Sequence, residues 1–175
     1  SLDPIVQFIR SAKTSIQIEN QYLKNTVMND EIMAAAKRGV NISIVVSSVC
    51  SFGPLDPVKD SYAIDSWKQT FSAFDRAGIK SRMFTQQIKV GGFNGYLHSK
   101  AIVVDGKRAW VGSVNGSTQA LSKNREFGVF IDDAVEVAKL SQMIAADFNH
   151  PGTEDWKESL ECKKDSDGFL PTREN

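Results

Sequence analysis

The sequence is short of several things. It has two cysteines, Cys50 and Cys162, two histidines, His98 and His150, and no excess of either charge: 21 Lys+Arg balance 21 Asp+Glu. Two cysteines without CxxC spacing exclude a thiolate metal grid and a dithiol redox motif. They fit either two thiols, one buried and one near the surface, or a single disulfide tying the tail to the body, so the redox compartment stays open. A net charge near zero argues against a general polyanion binder, although basic side chains gathered on one face would still make a local groove. No apolar run reaches the length of a transmembrane helix. There is no HExxH, no paired-carboxylate cluster and no Cys/His grid, so neither a metal nor another cofactor is expected. Internal repeats and low-complexity stretches are absent. The chain starts with Ser1 rather than Met, which fits a processed, secreted or periplasmic chain as well as a piece of a longer one.

What is present reads as one domain with a substantial core: 175 residues, 41% hydrophobic and 24% charged. Residues 3–12 have a helical pattern, with Asp3 as N-cap and Pro4 in the first turn. Residues 15–23 read as a strand. A helix is expected from Asn29 or Asp30 to Arg38, stopped by Gly39. Residues 41–49 are β-branched and continuous, as in a strand buried on both faces. After a Pro/Gly loop at 51–64, residues 65–77 read as a helix and 79–84 as a strand. A glycine-rich loop at 85–96 leads into strands at 98–104 and 109–112, joined by a turn at Asp105-Gly106. A strand at 126–131 and a helix at 133–148 follow. The expected fold class is α/β, a mixed β-sheet flanked by helices on both faces. The body runs over 1–162, with a polar C-terminal tail at 163–175.

Chemistry concentrates in one stretch: His98-Ser-Lys100, then Asp105, then Gly112-Ser113-Val-Asn115, or H-x-K-x4-D-x6-G-S-x-N. Such a pattern arises by chance on the order of once in a million chains. His98 and Lys100 are two apart on a strand and so share a face. Gly112-Ser113 lies where a strand ends and a helix can begin, so backbone N–H groups can approach a phosphate closely. A neutral imidazole can attack phosphorus, and Lys100 supplies a point charge for the phosphoryl oxygens. Ser113 and Asn115 can donate to the same oxygens. The second ring nitrogen of a nucleophilic His needs an acceptor, and Glu126 is the candidate.

This stretch resembles the HKD motif of the phospholipase D superfamily, closely over residues 96–131. The front of the chain, IENQYL and then AAAKRGVNISIVV, is more weakly similar to the same fold. The resemblance implies a phospholipase D-like domain over 1–162. It implies a catalytic group of His98, Lys100, Asp105 and Glu126, with Lys100, Ser113 and Asn115 gripping phosphate and Asp105 mainly structural. Glu19 is a further residue that either reaches the site or is plainly structural. Trp110 is assigned to the core, and Tyr22, Phe93 and Tyr96 are candidates to line the substrate entrance.

Hydrolysis through a phosphohistidine needs two imidazoles, one attacking and one protonating the leaving group. His150, in FNHPG at a helix end, lacks the following lysine and reads as a helix-terminus residue. A second half-site is therefore expected from a second copy of the chain or from the missing N-terminal half of a longer one. Three functions compete. One is a phosphodiesterase that hydrolyses or transfers a phosphatidyl group, with peripheral membrane contact through Gly91, Gly92, Phe93, Gly95 and Tyr96. Another is a metal-independent nuclease of the same superfamily, its DNA or RNA tracked by Lys80, Arg82, Lys89, Lys107, Arg108, Lys123 and Arg125. The third is a non-catalytic structural half.

Overall fold

A computed structural model describes residues 2–52, 55–85, 89–90, 93–94 and 97–162. The chain opens with helix α1 (Leu2–Arg10), which buries Ile5, Val6, Phe8 and Ile9. Strand β1 (Ser15–Asn20) follows, then helix α2 (Thr26–Lys37). The side chain of Asn25 accepts the N–H of Met28 and so caps α2, which starts one turn earlier than the Asn29/Asp30 expected. Strand β2 (Asn41–Ser47) runs into a 3-10 turn at Val49–Phe52. Helix α3 (Ser61–Arg76) takes in the end of the expected loop, and strand β3 (Lys80–Phe84) follows.

Strands β4 (Lys89–Val90) and β5 (Phe93–Asn94) form a small hairpin inside the segment expected as a loop. Next come β6 (Lys100–Val104), β7 (Arg108–Gly112), the short α4 (Thr118–Ser122) and β8 (Gly128–Ile131). Helix α5 (Ala134–Phe148), β9 (Thr153–Glu154) and α6 (Trp156–Ser159) complete the described chain. The last two elements have no counterpart in the sequence reading, being too short to show a period. The side chains of Lys89 and Phe93, the residues Gly91, Gly92, Gly95 and Tyr96, and the tail at 163–175 lie outside the described residues.

Seven strands form one sheet in the order β8-β7-β6-β1-β2-β3-β9. β1, β2 and β3 are parallel, while β6 runs antiparallel to β1 and continues as an antiparallel meander through β7 and β8. The sheet is therefore mixed, as expected. One face carries Ile16, Ile18, Ile42, Ile44, Ile102 and Trp110 against α1, α2 and α3. The other carries Val45, Ala101, Val103 and Ala109 against Val137 and Ile144 of α5. Helices thus cover both faces, and β6 is buried along its whole length.

Cys50 and Cys162 are bonded, closing a sequence separation of 112 residues. Of the two arrangements the sequence allowed, the disulfide is the one formed. It ties the segment after α6 to the 3-10 turn beyond β2.

Candidate active site

The motif gathers at one end of the sheet. Antiparallel pairing sets Lys100, at the start of β6, opposite Asn20, at the end of β1. His98 stands two residues before Lys100 and is exposed, whereas Lys100 is 5% exposed. The Lys100 ammonium donates to the His98 carbonyl. Burial, and then the neighbouring Lys100 charge, lower the His98 pKa, which favours the neutral imidazole. Burial also lowers Lys100, and the Glu126 carboxylate opposes that shift.

Glu126, expected as the acceptor for the second His98 nitrogen, is bonded to Ser113 and Asn124. Its carboxylate accepts from the Ser113 hydroxyl at 2.5 Å and from the Asn124 amide at 3.1 Å. Those two bonds lower its pKa, with the Lys100 charge adding to them, so it stays ionised. The two bonds engage both carboxylate oxygens. The reason lies in the β7–β8 register: Ser113 N–H donates to the Phe127 carbonyl at 2.8 Å and Phe127 N–H to the Ser113 hydroxyl at 3.1 Å, which brings Glu126 against Ser113.

Asn115 is placed by a residue that the motif does not contain. The Asn20 amide donates to the Val114 carbonyl at 3.3 Å, and its oxygen accepts from Gly116 N–H at 3.0 Å. Asn20 so clamps the backbone on both sides of Asn115. Gly116 is required there: a Cβ would lie 2.3 Å from the Tyr22 carbonyl oxygen. The Asn115 side-chain oxygen is buried without a hydrogen-bond partner among the described residues, an unsatisfied group facing the kind of cost that a ligand or partner removes. Asn20 was visible in the sequence only as part of IENQYL. Its pairing with a loop some 95 residues on has no local signature.

Asp105, expected in the catalytic group with a mainly structural part, is not gathered with these residues. It sits at the other end of β6, roughly 17 Å from Lys100 at strand rise. Its backbone is left-handed (φ 55°), and the next residue, Gly106, has φ 62°. Its carboxylate accepts from the N–H groups of Lys13, Thr14 and Ser15 and from the Thr14 hydroxyl, at 2.8–3.1 Å. Burial pushes its pKa up, but these bonds outweigh that and bring it to about 2. Asp105 anchors the start of β1.

Glu19 lies on the opposite face of the sheet from Lys100. It is 1% exposed and accepts from the Ser99 hydroxyl. Burial raises its pKa to about 7; the Ser99 bond opposes the rise and the Asp147 carboxyl of α5 adds to it. Glu19 Oε2 has no donor of its own, so this pair is satisfied when the two carboxyls share one proton.

His150 accepts the Gly152 N–H at 3.0 Å, beyond the end of α5 beside β9. β9 lies on the β3 side of the sheet, and three strand spacings, ~14 Å, separate β3 from β6. The basic residues are not one groove. Lys80 begins β3, and Lys107 and Arg108 lie at the β6–β7 turn, all at the end remote from His98. Arg108 pairs with Asp132 and Arg82 is bonded to Thr153. Among the described residues no cluster of His, Cys, Asp or Glu could hold a metal ion, and no helix is long and apolar enough to cross a membrane.

Comparison with known proteins agrees with this geometry. The family model described as "Cardiolipin synthase, PLD-like domain" matches residues 5–150. The cardiolipin synthase of Staphylococcus aureus is 31% identical over 147 residues, covering 82% of this chain and 26% of that protein. The chain thus spans about a quarter of the length of such relatives. Among solved structures, the phospholipase D family member Nuc of Salmonella typhimurium superposes with a TM-score of 0.67 at 24% identity, covering 87% of this chain and 88% of that one. Phosphatidylserine synthase of Haemophilus influenzae gives 0.63 at 15%, covering 88% of this chain and 37% of the other. With a seven-stranded mixed sheet and a family match over most of its length, this chain belongs to the phospholipase D superfamily.

Proposed function

We propose that this chain supplies one half-site of a phospholipase D-type phosphodiesterase that cleaves a phospholipid or transfers its phosphatidyl group. The observation that carries the reading is the pairing of an exposed imidazole, shifted toward neutrality, with a buried ammonium two residues away. A neutral His98 nitrogen attacks phosphorus and forms the P–N bond of a phosphohistidine. The P–O bond to the head group breaks, and the departing oxygen takes a proton from a second imidazole. That imidazole then removes a proton from water or an alcohol, whose oxygen attacks phosphorus and frees His98. Lys100 and Asn115 meet the phosphoryl oxygens. Ser113 joins them by turning its hydroxyl away from Glu126, and Glu126 holds the Lys100 charge in place.

The second imidazole comes from another protomer or from the other half of a longer chain. β8 is the strand at this edge of the sheet, next to Glu126, and Phe127, Val129 and Phe130 are 74%, 43% and 45% exposed. An apolar open edge beside the site is a natural place for the missing half. Lipid is favoured over nucleic acid because Lys80, Lys107 and Arg108 lie away from the motif.

Light scattering over a concentration range comes first, followed by assay of the assembled species with a phosphatidyl lipid and an alcohol acceptor. Wild-type protein should form an acid-labile phosphoprotein that His98→Ala abolishes with at least a 10³-fold loss of activity. Unchanged turnover in His98→Ala would leave only a structural half. Tight, steeply salt-dependent binding of single-stranded DNA without lipid turnover would favour the nuclease.

A further inference from the structure

Beyond the ends of β1 and β2 lies a cavity of about 290 Å³. Its walls include Tyr22, Leu23, Val49, Leu55, Trp67 and Phe71, and Lys24 stands at its rim. Most of the wall is apolar. Lys24 has no carboxylate partner among the described residues, and its ammonium lies 4.6 Å from the centre of the Tyr22 ring. The one acid on the wall, Asp60, is already engaged, accepting the Asp56 N–H at 2.8 Å. The indole N–H of Trp67 is buried without an acceptor among the described residues.

The cavity shares a wall with the motif. The N–H groups of Lys24 and Asn25 donate to the Gly116 carbonyl at 2.6 and 2.9 Å, and Gly116 follows Asn115 directly. A ligand here would lie beside whatever Asn115 holds.

We propose that this cavity is a subsite for an anionic amphiphile, with an aliphatic chain against Leu23, Leu55 and Phe71 and a phosphate or carboxylate on Lys24. The proposal rests on the lipid reading above and adds the sign of the group that the site accepts. Aromatic walls by themselves would also suit a quaternary ammonium. Lys24 decides against one, because it already occupies the Tyr22 face and would repel a second cation at contact distance. Burial lowers the Lys24 pKa, and an anion at its side would raise it again.

The test is binding, measured on the whole chain without turnover, so a catalytically silent protein leaves it intact. Octyl phosphate, octyl glucoside, octyltrimethylammonium and inorganic phosphate are titrated below their micellar concentrations, followed by tryptophan fluorescence and calorimetry. Octyl phosphate should bind at least 10-fold tighter than each of the others. Lys24→Gln should remove that advantage and leave octyl glucoside unchanged, and Trp67→Phe should abolish the fluorescence change. Equal affinity for the neutral and anionic probes, tighter binding of the ammonium probe, or inorganic phosphate matching octyl phosphate would each overturn the proposal.

Sedimentation with phosphatidylglycerol and with phosphatidylcholine vesicles then separates the sources. Lys24-dependent binding to the anionic vesicles assigns the subsite to a membrane lipid. Octyl phosphate binding with no vesicle binding supports the subsite and assigns it to a soluble ligand. Loss of octyl phosphate binding in a protein that still transfers phosphatidyl groups would overturn the subsite alone.

Discussion

Replacing Asp105 by Asn separates an anchoring role from a chemical one. The carboxylate is held at a pKa of about 2, against an ordinary value of 3.8, by donors from Lys13, Thr14 and Ser15. That difference corresponds to ~2.4 kcal/mol of folding free energy. The turn is partly open to water, so screening reduces it to about 1–2 kcal/mol. Because the folded pKa is below the unfolded one, the contribution is complete above about pH 4 and is lost as the pH falls toward 2. Urea unfolding of the two proteins should therefore show a gap of about 1–2 kcal/mol at pH 7 that narrows at pH 3. In the melting temperature this is a fall of ~3–6 °C at neutral pH. At 25 °C, where both are folded, kcat/KM should agree within about twofold, since Asp105 lies roughly 17 Å along β6 from Lys100. A gap that is the same at both pH values would refute the electrostatic origin. A 100-fold loss of kcat/KM in a fully folded variant would place Asp105 in the chemistry.

Glu19 predicts the opposite slope. Its raised folded pKa means that its contribution is full below about pH 4.5 and is lost as the pH rises through about 7, so wild-type stability should decline over that window and Glu19→Gln should flatten the curve. Identical slopes in denaturant melts at pH 5 and pH 8 would count against a shared proton. Reducing the Cys50–Cys162 bond, or replacing either cysteine with Ala, should cost about 2–4 kcal/mol, read from melts with and without reductant. Phosphatidyl transfer should persist in excess EDTA; complete loss that a divalent ion restores would sink the phosphohistidine mechanism.

Local chemistry made part of this molecule readable. Gly39 and Gly78 stop α2 and α3 where expected, both with positive φ. The expected strand at 98–104 starts two residues late, at Lys100, so His98 precedes β6 and does not lie within it, while the spacing to Ser113 and Asn115 reflected one hairpin turn and one strand. The unread parts depend on residues far apart in sequence. Asn25 and Asn29 are equally good caps on paper, and Asn25 wins because its amide also reaches Thr118, at 3.2 Å. Glu126 was matched to His98 by residue type, but the β7–β8 register hands it to Ser113. Lys80, Lys107 and Arg108 flank the motif only along the chain, since a strand carries its two ends to opposite rims of the sheet. The pairing of Glu19 with Asp147 joins β1 to α5 across one face, where neither flanking sequence announces the other.

The position of β1 bears on how the protein comes into being. Although it is the first strand of this sheet along the chain, it lies fourth in the sheet, and its β6 partners are 80 to 88 residues downstream, from Asn20↔Lys100 to Ile16↔Val104. On a ribosome, β1 leaves the tunnel long before the strand that completes it. Closing so long a loop precedes any reward from the contact, so this pairing belongs among the slow events of folding. Asn20 then engages Val114 and Gly116 only once β6 and β7 are in place. The Asn20 clamp around Asn115 therefore has no partly folded precursor: it arises together with the central pairing of the sheet, and a nascent chain does not hold the motif in its final arrangement until nearly all of the domain has emerged.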